Sequence, residues 1–332
     1  MILLNRSGDT FFTIKLKGLI MSHAISKSRK SLPLGASALV CLALATPVMA
    51  DDFVITSSDG STNGVGTKNG GAAAAISDVE INGGDTITLE GALEPTSGNE
   101  GIETTGSNTT TISGSITTQG FDADGIDHTG NNNFTDVTGS ITTDGQYSEA
   151  IYNDGDYNTT TISGSILTKS TDSQGIQNSG NFNETIISSS GIITTLQDDG
   201  YGIYNDGNNN TTTMLGSIAT SFDDGYGIHN DGNNNTTTVS GSITTGVVGT
   251  TNGDDATGVW NSGTSNTTTL TSTGVITVRG PVADGIYNDG GTSTTIVHGS
   301  INVTGHGTGA DYTTGVDNRG GNTQTTLSKS SQ

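Results

Sequence analysis

Apolar residues are sparse from about residue 101 to the end of the chain, yet they return at fixed intervals. A β-branched residue following Gly or Ala recurs at Ile102, Ile126, Ile151, Ile176, Ile203, Ile228, Val259, Ile286 and Val316. A second apolar position stands eleven residues later in eight of these nine copies and ten later in the first: Ile112, Val137, Ile162, Ile187, Met214, Val239, Leu270, Val297 and Leu327. A third follows four or five residues on, at Ile116, Ile141, Ile166, Ile192, Ile218, Ile243, Val275 and Ile301. The step between copies runs from 24 to 31 residues, and nearly all of that variation is expected between the third position and the next copy's first. Two connections of fixed length and one of free length describe a coil of three short strands, stacked copy on copy around a thin core. The spacing therefore predicts an all-β parallel β-helix, with three short strands per coil of about 25 residues.

Strand parity extends the pattern to polar residues, because positions two apart face the same side. Thr stands two before the second apolar position in every copy, from Thr110 and Thr135 to Thr325, and two after the third in seven of eight, beginning Thr118, Thr143 and Thr168. Both sets are expected to face inward or to the rim, with hydroxyls bonding to stacked neighbours. Gly lies four residues after the first apolar position in all nine copies, from Gly106 and Gly130 to Gly320, which suggests a backbone with positive φ. Asn lies two after it in seven copies: Asn153, Asn178, Asn205, Asn230, Asn261, Asn288 and Asn318. Stacked amides would form a hydrogen-bonded ladder along the axis; read instead as Asn-Asp-Gly, the same residues are only a turn signal.

Composition agrees with a thin core. With 50 Gly, 4 Pro, 1 Trp and 30% hydrophobic residues, the 332-residue chain does not hold two ordinary cores. Low hydrophobicity and a net charge of −22 also describe disorder, and only the regular placement of the apolar residues argues against it. Residues 51–100 are less regular, and ISDVEINGGDTITLEG within them is expected to form a cap or an irregular first coil. Residues 101–332 hold the nine copies, the last incomplete.

The first fifty residues differ from the rest and read as an N-terminal extension followed by a secretory signal. From Met21, a basic stretch with Lys27, Arg29 and Lys30 precedes the apolar run LPLGASALVCLALA, and Val48-Met49-Ala50 sets an expected cleavage after Ala50. The run is too short to span a membrane, which takes roughly 20 apolar residues. Cys41, the single cysteine, lies inside it after Val40, where a lipid-anchor signal wants a small residue. Removal of residues 1–50 leaves five basic against 32 acidic residues, a charge of −27, and no cysteine. A polyanion cannot gain affinity by neutralising phosphates, so nucleic acid is excluded as a partner. Disulfides cannot staple the mature chain, and its stability must come from stacking.

Copies such as GYGIYNDGNNNTTTMLGSIATS and GYGIHNDGNNNTTTVSGSITTG, with the frame GI.N..G...TT..GSI.T, resemble the β-helical passenger repeats of Gram-negative autotransporter and adhesin-like proteins over residues 101–327. The resemblance implies a right-handed coil, export by signal peptide, and an extracellular or cell-surface location. It also implies an adhesion or structural role without catalysis, toward host or environmental surface glycans or proteins. That family carries a C-terminal outer-membrane barrel. Here the chain stops at TTLSKSSQ without the alternating ten-residue strands of a barrel, as a truncated gene would leave it.

Chemistry on such a scaffold must be judged on residues. A glycan lyase would want a base beside clustered carboxylates, whereas Lys169, Arg279, Arg319 and Lys329 are scattered over different copies. An inverting hydrolase needs two carboxyls about 6.5–9.5 Å apart, which the loop aspartates would meet only by chance. His128, His229, His298 and His306 occupy unrelated repeat positions, against both a Ser-His-Asp set and a zinc site. No catalytic, cofactor-binding or metal residue is therefore assigned. The variable loop holds acidic segments such as Asp198-Asp199, and its residues Asp223, Asp224, Asp254 and Asp255 offer oxygens for weak calcium binding, without an EF-hand loop or a GGxGxD nonapeptide. One residue after the first apolar position stand Tyr152, Tyr204, His229, Trp260 and Tyr287, which face outward either to hold sugars or to stack across coils for stability. Outward Thr pairs such as Thr159/Thr161, Thr211/Thr213, Thr236/Thr238 and Thr267/Thr269 resemble ice-binding solenoids, in an array interrupted at Phe134/Asp136 and Glu184/Ile186.

Overall fold

The structure, a computed structural model, describes residues 12–16, 19–23, 52–58, 63–68, 74–77, 80–82 and 85–328, the last range without 96, 223, 247–254, 281 and 305–312. The expected signal run and its cleavage point after Ala50 lie outside the described residues, as do Asp223, Asp254, His306 and Lys329. An antiparallel hairpin, Phe12–Leu16 with Leu19–His23, belongs to a separate unit of residues 1–47. Residues 48–332 form the second unit, a parallel β-solenoid, and the described residues contain no helix.

Each coil lays down three strands, such as Ile151–Asn153, Thr159–Ile162 and Ser165–Thr168, and each pairs in parallel with its counterpart one coil away. Three sheets of 10, 13 and 9 strands result. Their sides enclose the apolar columns: Ile102 through Ile286 in the first sheet and Ile112 through Leu270 in the second are fully buried. Residues 80–93 add one strand to each sheet, with buried Leu89 under Ile112 of the second column and buried Ile87 under Thr110. Asp52–Ser58 then runs parallel beside Thr86–Leu89, and Asn63–Lys68 and Ala74–Ser77 extend that sheet antiparallel.

The third column differs from the expected one at two places. Ile193 and Ile276 pair with Ile166 and Ile243 and are fully buried, while Ile192 is 46% exposed and Val275 only partly buried. In these two coils a turn of two extra residues sits between the second and third strands. It closes by the Gly191 and Gly274 N–H groups donating to the carbonyls of Ser188 and Thr271 (2.8 and 2.9 Å). An insertion of one residue would turn every following side chain to the wrong face; two residues in a turn keep the parity. The 27-residue steps thus arise at this turn and not in the acidic loop.

The recurrent glycine also has a different cause. Among the described copies only Gly106 has positive φ (106°); at this corner the left-handed residue is the one two places further on, as at Asn132, Tyr157, Phe182, Asn209, Asn234, Ser265 and Thr292, at 59–61°. Gly155, Gly207, Gly232 and their equivalents instead lie directly on the coil below, where an added Cβ would run into the carbonyl oxygen of the glycine beneath. Close stacking at the corner, not backbone handedness, requires Gly there.

The asparagine ladder forms. The Nδ2 of Asn153, Asn178, Asn205, Asn230, Asn261 and Asn288 donates to the Oδ1 of the next coil's Asn at 2.7–2.8 Å. Its other hydrogen reaches the Thr seven residues on at 2.9–3.3 Å, as with Asn205 to Thr212. From Thr160 to Thr325 these Thr hydroxyls are therefore partnered within their own coil and not with stacked threonines, because an amide has two hydrogens to give and a hydroxyl one; Thr110, in the first copy, which lacks the Asn, has no such partner. Thr118, Thr143, Thr168, Thr195 and Thr220 donate instead to carbonyls five residues on, closing the third corner at 2.7–3.1 Å. A second amide ladder, absent from the expected pattern, runs through Asn108, Asn133, Asn158, Asn183, Asn210, Asn235 and Asn266. Each backbone N–H donates to the next Oδ1 at 2.7–2.8 Å.

Candidate functional site

The interior repeats from coil to coil, whereas the outward face of the first sheet does not. Two neighbouring columns cover it. One stands a residue after the buried aliphatic and runs Glu103, Asp127, Tyr152, Gln177 and then rings from Tyr204 to Tyr287; the other stands two residues before it and runs from carboxyls through Gln174 to Tyr201 and Tyr226 and then to Thr257 and Asp284.

At the carboxyl end, Asp124 and Glu149 occupy the second column on adjacent coils, and the Glu149 N–H donates to Asp124 Oδ1 at 2.7 Å. Burial, and then the Glu149 charge, push the Asp124 carboxyl up to about 9; burial also raises Glu149. The two side chains hydrogen-bond to each other, so the pair holds a proton at neutral pH. In the first column, Asp127 is raised to about 7 by burial and then by Glu100 and Glu103.

These shifts set a pH dependence. A carboxyl raised by folding binds its proton more tightly in the folded state, so its contribution to stability is full below the unfolded value of 3.8 and is lost as pH rises toward about 9. Buried His128 and His229, lowered by burial to about 4, oppose this only below the unfolded histidine value of 6.5. Between pH 7 and 9 the melting temperature of the protein should therefore fall, and Asp124→Asn should remove most of that fall. Thermal melts at constant ionic strength check this; an unchanged slope in the variant would show that Asp124 does not carry the proton.

Gln174 and Gln177 follow, and then the rings. In the first column Tyr204 stacks on His229 (5.1 Å between centroids, 25°), and His229 on Trp260 (4.2 Å, 2°); Trp260 meets Tyr287 at 5.9 Å and 34°. In the second, Tyr201 stacks on Tyr226 (4.9 Å, 23°), and Tyr226 sets its edge against Trp260 (4.8 Å, 78°). Between Tyr204 and Trp260 the faces point along the axis and cover each other, so there the rings stabilise by stacking. Both phenols are anchored by carboxylates: Tyr226 Oη donates to Asp224 at 3.2 Å, and Tyr204 Oη to Asp231 at 3.5 Å. Burial raises both above the ordinary tyrosine range.

The other residues singled out by the sequence are kept apart. His128 takes the place of an Asn in the buried ladder, bonded to Thr104 Oγ1 and Thr135 Oγ1 at 2.5 and 2.6 Å. His229 lies in the ring stack, and His298 bonds Ser328 Oγ at 2.6 Å. Lys169 pairs with exposed Asp144 (3.8 Å) and Arg319 with Asp317 (2.9 Å). Among the described residues, no three His, Cys, Asp or Glu side chains are placed to share a metal ion. The second outward column, with Asp124, Glu149, Tyr201, Tyr226 and Asp284, escaped the sequence reading. Its signal was the position two before each buried aliphatic, hidden because Gly-Tyr-Gly reads as loop. Comparison with family models, with curated proteins and with solved structures finds no match to the chain, and no function is carried over from a relative.

Proposed function

We propose that the chain is an exported, non-catalytic adhesion or display rod of a bacterial surface, making its contacts through the outward face of the first sheet. The observation that carries this reading is the contrast between faces. Asn, Thr and Gly columns are held coil after coil, while the outward columns change chemistry along the axis. In stacked-repeat proteins variation of that kind sits where a partner is met. The acidic surface supports solubility outside the cell and repels polyanions. Expression of the full chain in a Gram-negative host should give exported protein whose first residue is Asp51. It should also give retention on immobilised surface polysaccharide that falls in a Tyr204→Ala/Tyr287→Ala variant. Protein kept in the cytoplasm with residues 1–50 intact would overturn the export reading, and unchanged retention would remove the face from the role.

The second reading, a glycan-degrading enzyme, is favoured by one observation: the proton held by Asp124 and Glu149 on this face. Against it, two hydrogen-bonded carboxyls are closer than the roughly 5–9.5 Å that glycosidases need. Turnover of a neutral or anionic polysaccharide, abolished by Asp124→Asn, would establish it.

A further inference from the structure

The ring stack is closed everywhere except at one place. From His229 to Trp260 the rings lie 4.2 Å apart and parallel; from Trp260 to Tyr287 they open to 5.9 Å and tilt by 34°. A cavity of about 520 Å³ opens at that wedge, walled by Tyr226, Trp260 and Tyr287, with Thr257 and buried Asp284 beneath and Asp255 alongside. Its size is that of a site for one or two sugar rings.

Three features of the wedge specify a ligand. The rings present electron-rich faces that attract cations, and the molecule already shows this: the Arg319 guanidinium lies over Tyr287, 5.2 Å from its centroid. That guanidinium also lines the cavity, at its Tyr287 end, where Asp317 holds it at 2.9 Å. Asp284 spends one oxygen, Oδ1, on the Thr314 N–H and hydroxyl (2.9 and 2.6 Å), and burial holds its carboxyl above the ordinary range although the Arg319 charge pulls it down. Finally, Tyr226, Trp260 and Tyr287 wall the cavity with rings, against which the flat face of a sugar can pack. A ligand that answers all three carries a positive charge on a body that packs against aromatic rings.

The geometry points to a binding site for an amino-sugar unit of a glycan, its ammonium between Asp284, Asp255 and the open face of Trp260, and its ring packed against the aromatic walls. Neutral sugars lack the charge, and uronates are repelled by a chain of net charge −22. The site deepens the adhesion reading by naming its ligand class, but it stands or falls on binding by the purified protein, whereas that reading stands or falls on export.

Trp260 is the single tryptophan of the chain, so its fluorescence reports this cavity alone. The full chain is titrated with the β-1,4-linked trimer of glucosamine, its N-acetylated counterpart, a galacturonate trimer and choline. The glucosamine trimer should give a saturable change, and the neutral N-acetylated trimer should bind at least about tenfold more weakly, the worth of one cation on an aromatic face beside a carboxylate. High salt should weaken the glucosamine complex. Asp284→Asn, which keeps the acceptor for Thr314, should cost about tenfold, and Arg319→Gln, which takes away a competing cation, should tighten binding. The two trimers compared on the unmodified protein decide the matter even if a variant fails to fold. Equal binding of both trimers, tighter binding of galacturonate, weaker glucosamine binding by Arg319→Gln, or no response to any sugar would overturn the proposal. Choline binding as tight as the glucosamine trimer would overturn the sugar assignment in favour of a plain ammonium.

Discussion

Replacing Ile203 by Asp should unfold the coils around it while Tyr204→Asp, one residue away, leaves them standing. Ile203 is fully buried, stacked between Ile176 and Ile228. Truncating such a side chain alone costs about 2–5 kcal/mol, and an unpartnered charge in its place adds several more. Tyr204 is half-buried on the outer face, where Asp would lose the ring contacts with His229 and Tyr201 and the long bond to Asp231 and would meet the charges of Asp206 and Asp231, about 1–3 kcal/mol in all. Because each coil touches only its neighbours, the loss in Ile203→Asp should be local. Hydrogen exchange should show amides of residues 176–230 unprotected, with those near Ile126 and Ile286 still slow. Greater disruption by Tyr204→Asp would reverse the inward and outward assignment of the strand. Uniform loss of protection would show that the rod unfolds as one unit.

The columns were legible in the sequence because each is set by a single requirement repeated at one period. An aliphatic at Ile151, Ile176 and Ile203 must fill the same slot of the same small core, and Asn178 or Asn205 must hand one hydrogen upward and one across. What was not legible depends on contacts between coils. No local signal says that Ile193, rather than Ile192, faces in; that follows from the Ser188–Gly191 turn taking up two residues, and both neighbours are isoleucine. The glycine column was found, but its reason was not: φ is a property of one residue, whereas the conflict at Gly232 is with the carbonyl of Gly207 one coil below. The second Asn ladder was masked by composition, since in NNNTTT the buried third asparagine, Asn210 or Asn235, looks no different from the more exposed first one, Asn208 or Asn233, which also bonds from coil to coil.

The outward face was half legible for a related reason. Tyr204, His229, Trp260 and Tyr287 follow a buried aliphatic and so announce their direction, and the stacking between the first three was one of two uses open to them. Asp124, Glu149, Tyr226 and Asp284 precede the small residue, Gly or Ala, at the mouth of the variable loop, where the alternation of faces along the strand is only starting. Their meeting with the first column is a product of the corner, visible as the 4.8 Å approach of Tyr226 to Trp260. The cavity exists because Trp260 and Tyr287 fail to continue the stack that His229 begins.

The inner amide ladder should prove as costly to interrupt as the core beside it. Asn205 is buried, accepts from Asn178 at 2.8 Å, and donates to Asn230 at 2.8 Å and to Thr212 at 3.2 Å. Asn205→Leu fills the space but strands Asn230 Oδ1 and leaves Asn178 with one bond fewer. At about 1–3 kcal/mol for each buried group so stranded, the variant should lose roughly 2–6 kcal/mol. A second substitution, Asn230→Leu, removes the acceptor that the first one stranded. The double variant should therefore lose clearly less than the sum of the singles, with a coupling of about 1–3 kcal/mol. Urea unfolding followed by the fluorescence of Trp260, on the coil next to Asn230, measures all three. The choice of Leu matters, because Ala would add a cavity to the account and conceal the ladder's share. Copies that depart from Asn keep a hydrogen-bonding side chain here: His128 bridges Thr104 and Thr135, and its ring stays neutral because burial lowers its affinity for a proton. Strictly additive losses would mean that each Asn serves its own coil through Thr and that the amides touch along the axis without holding it together.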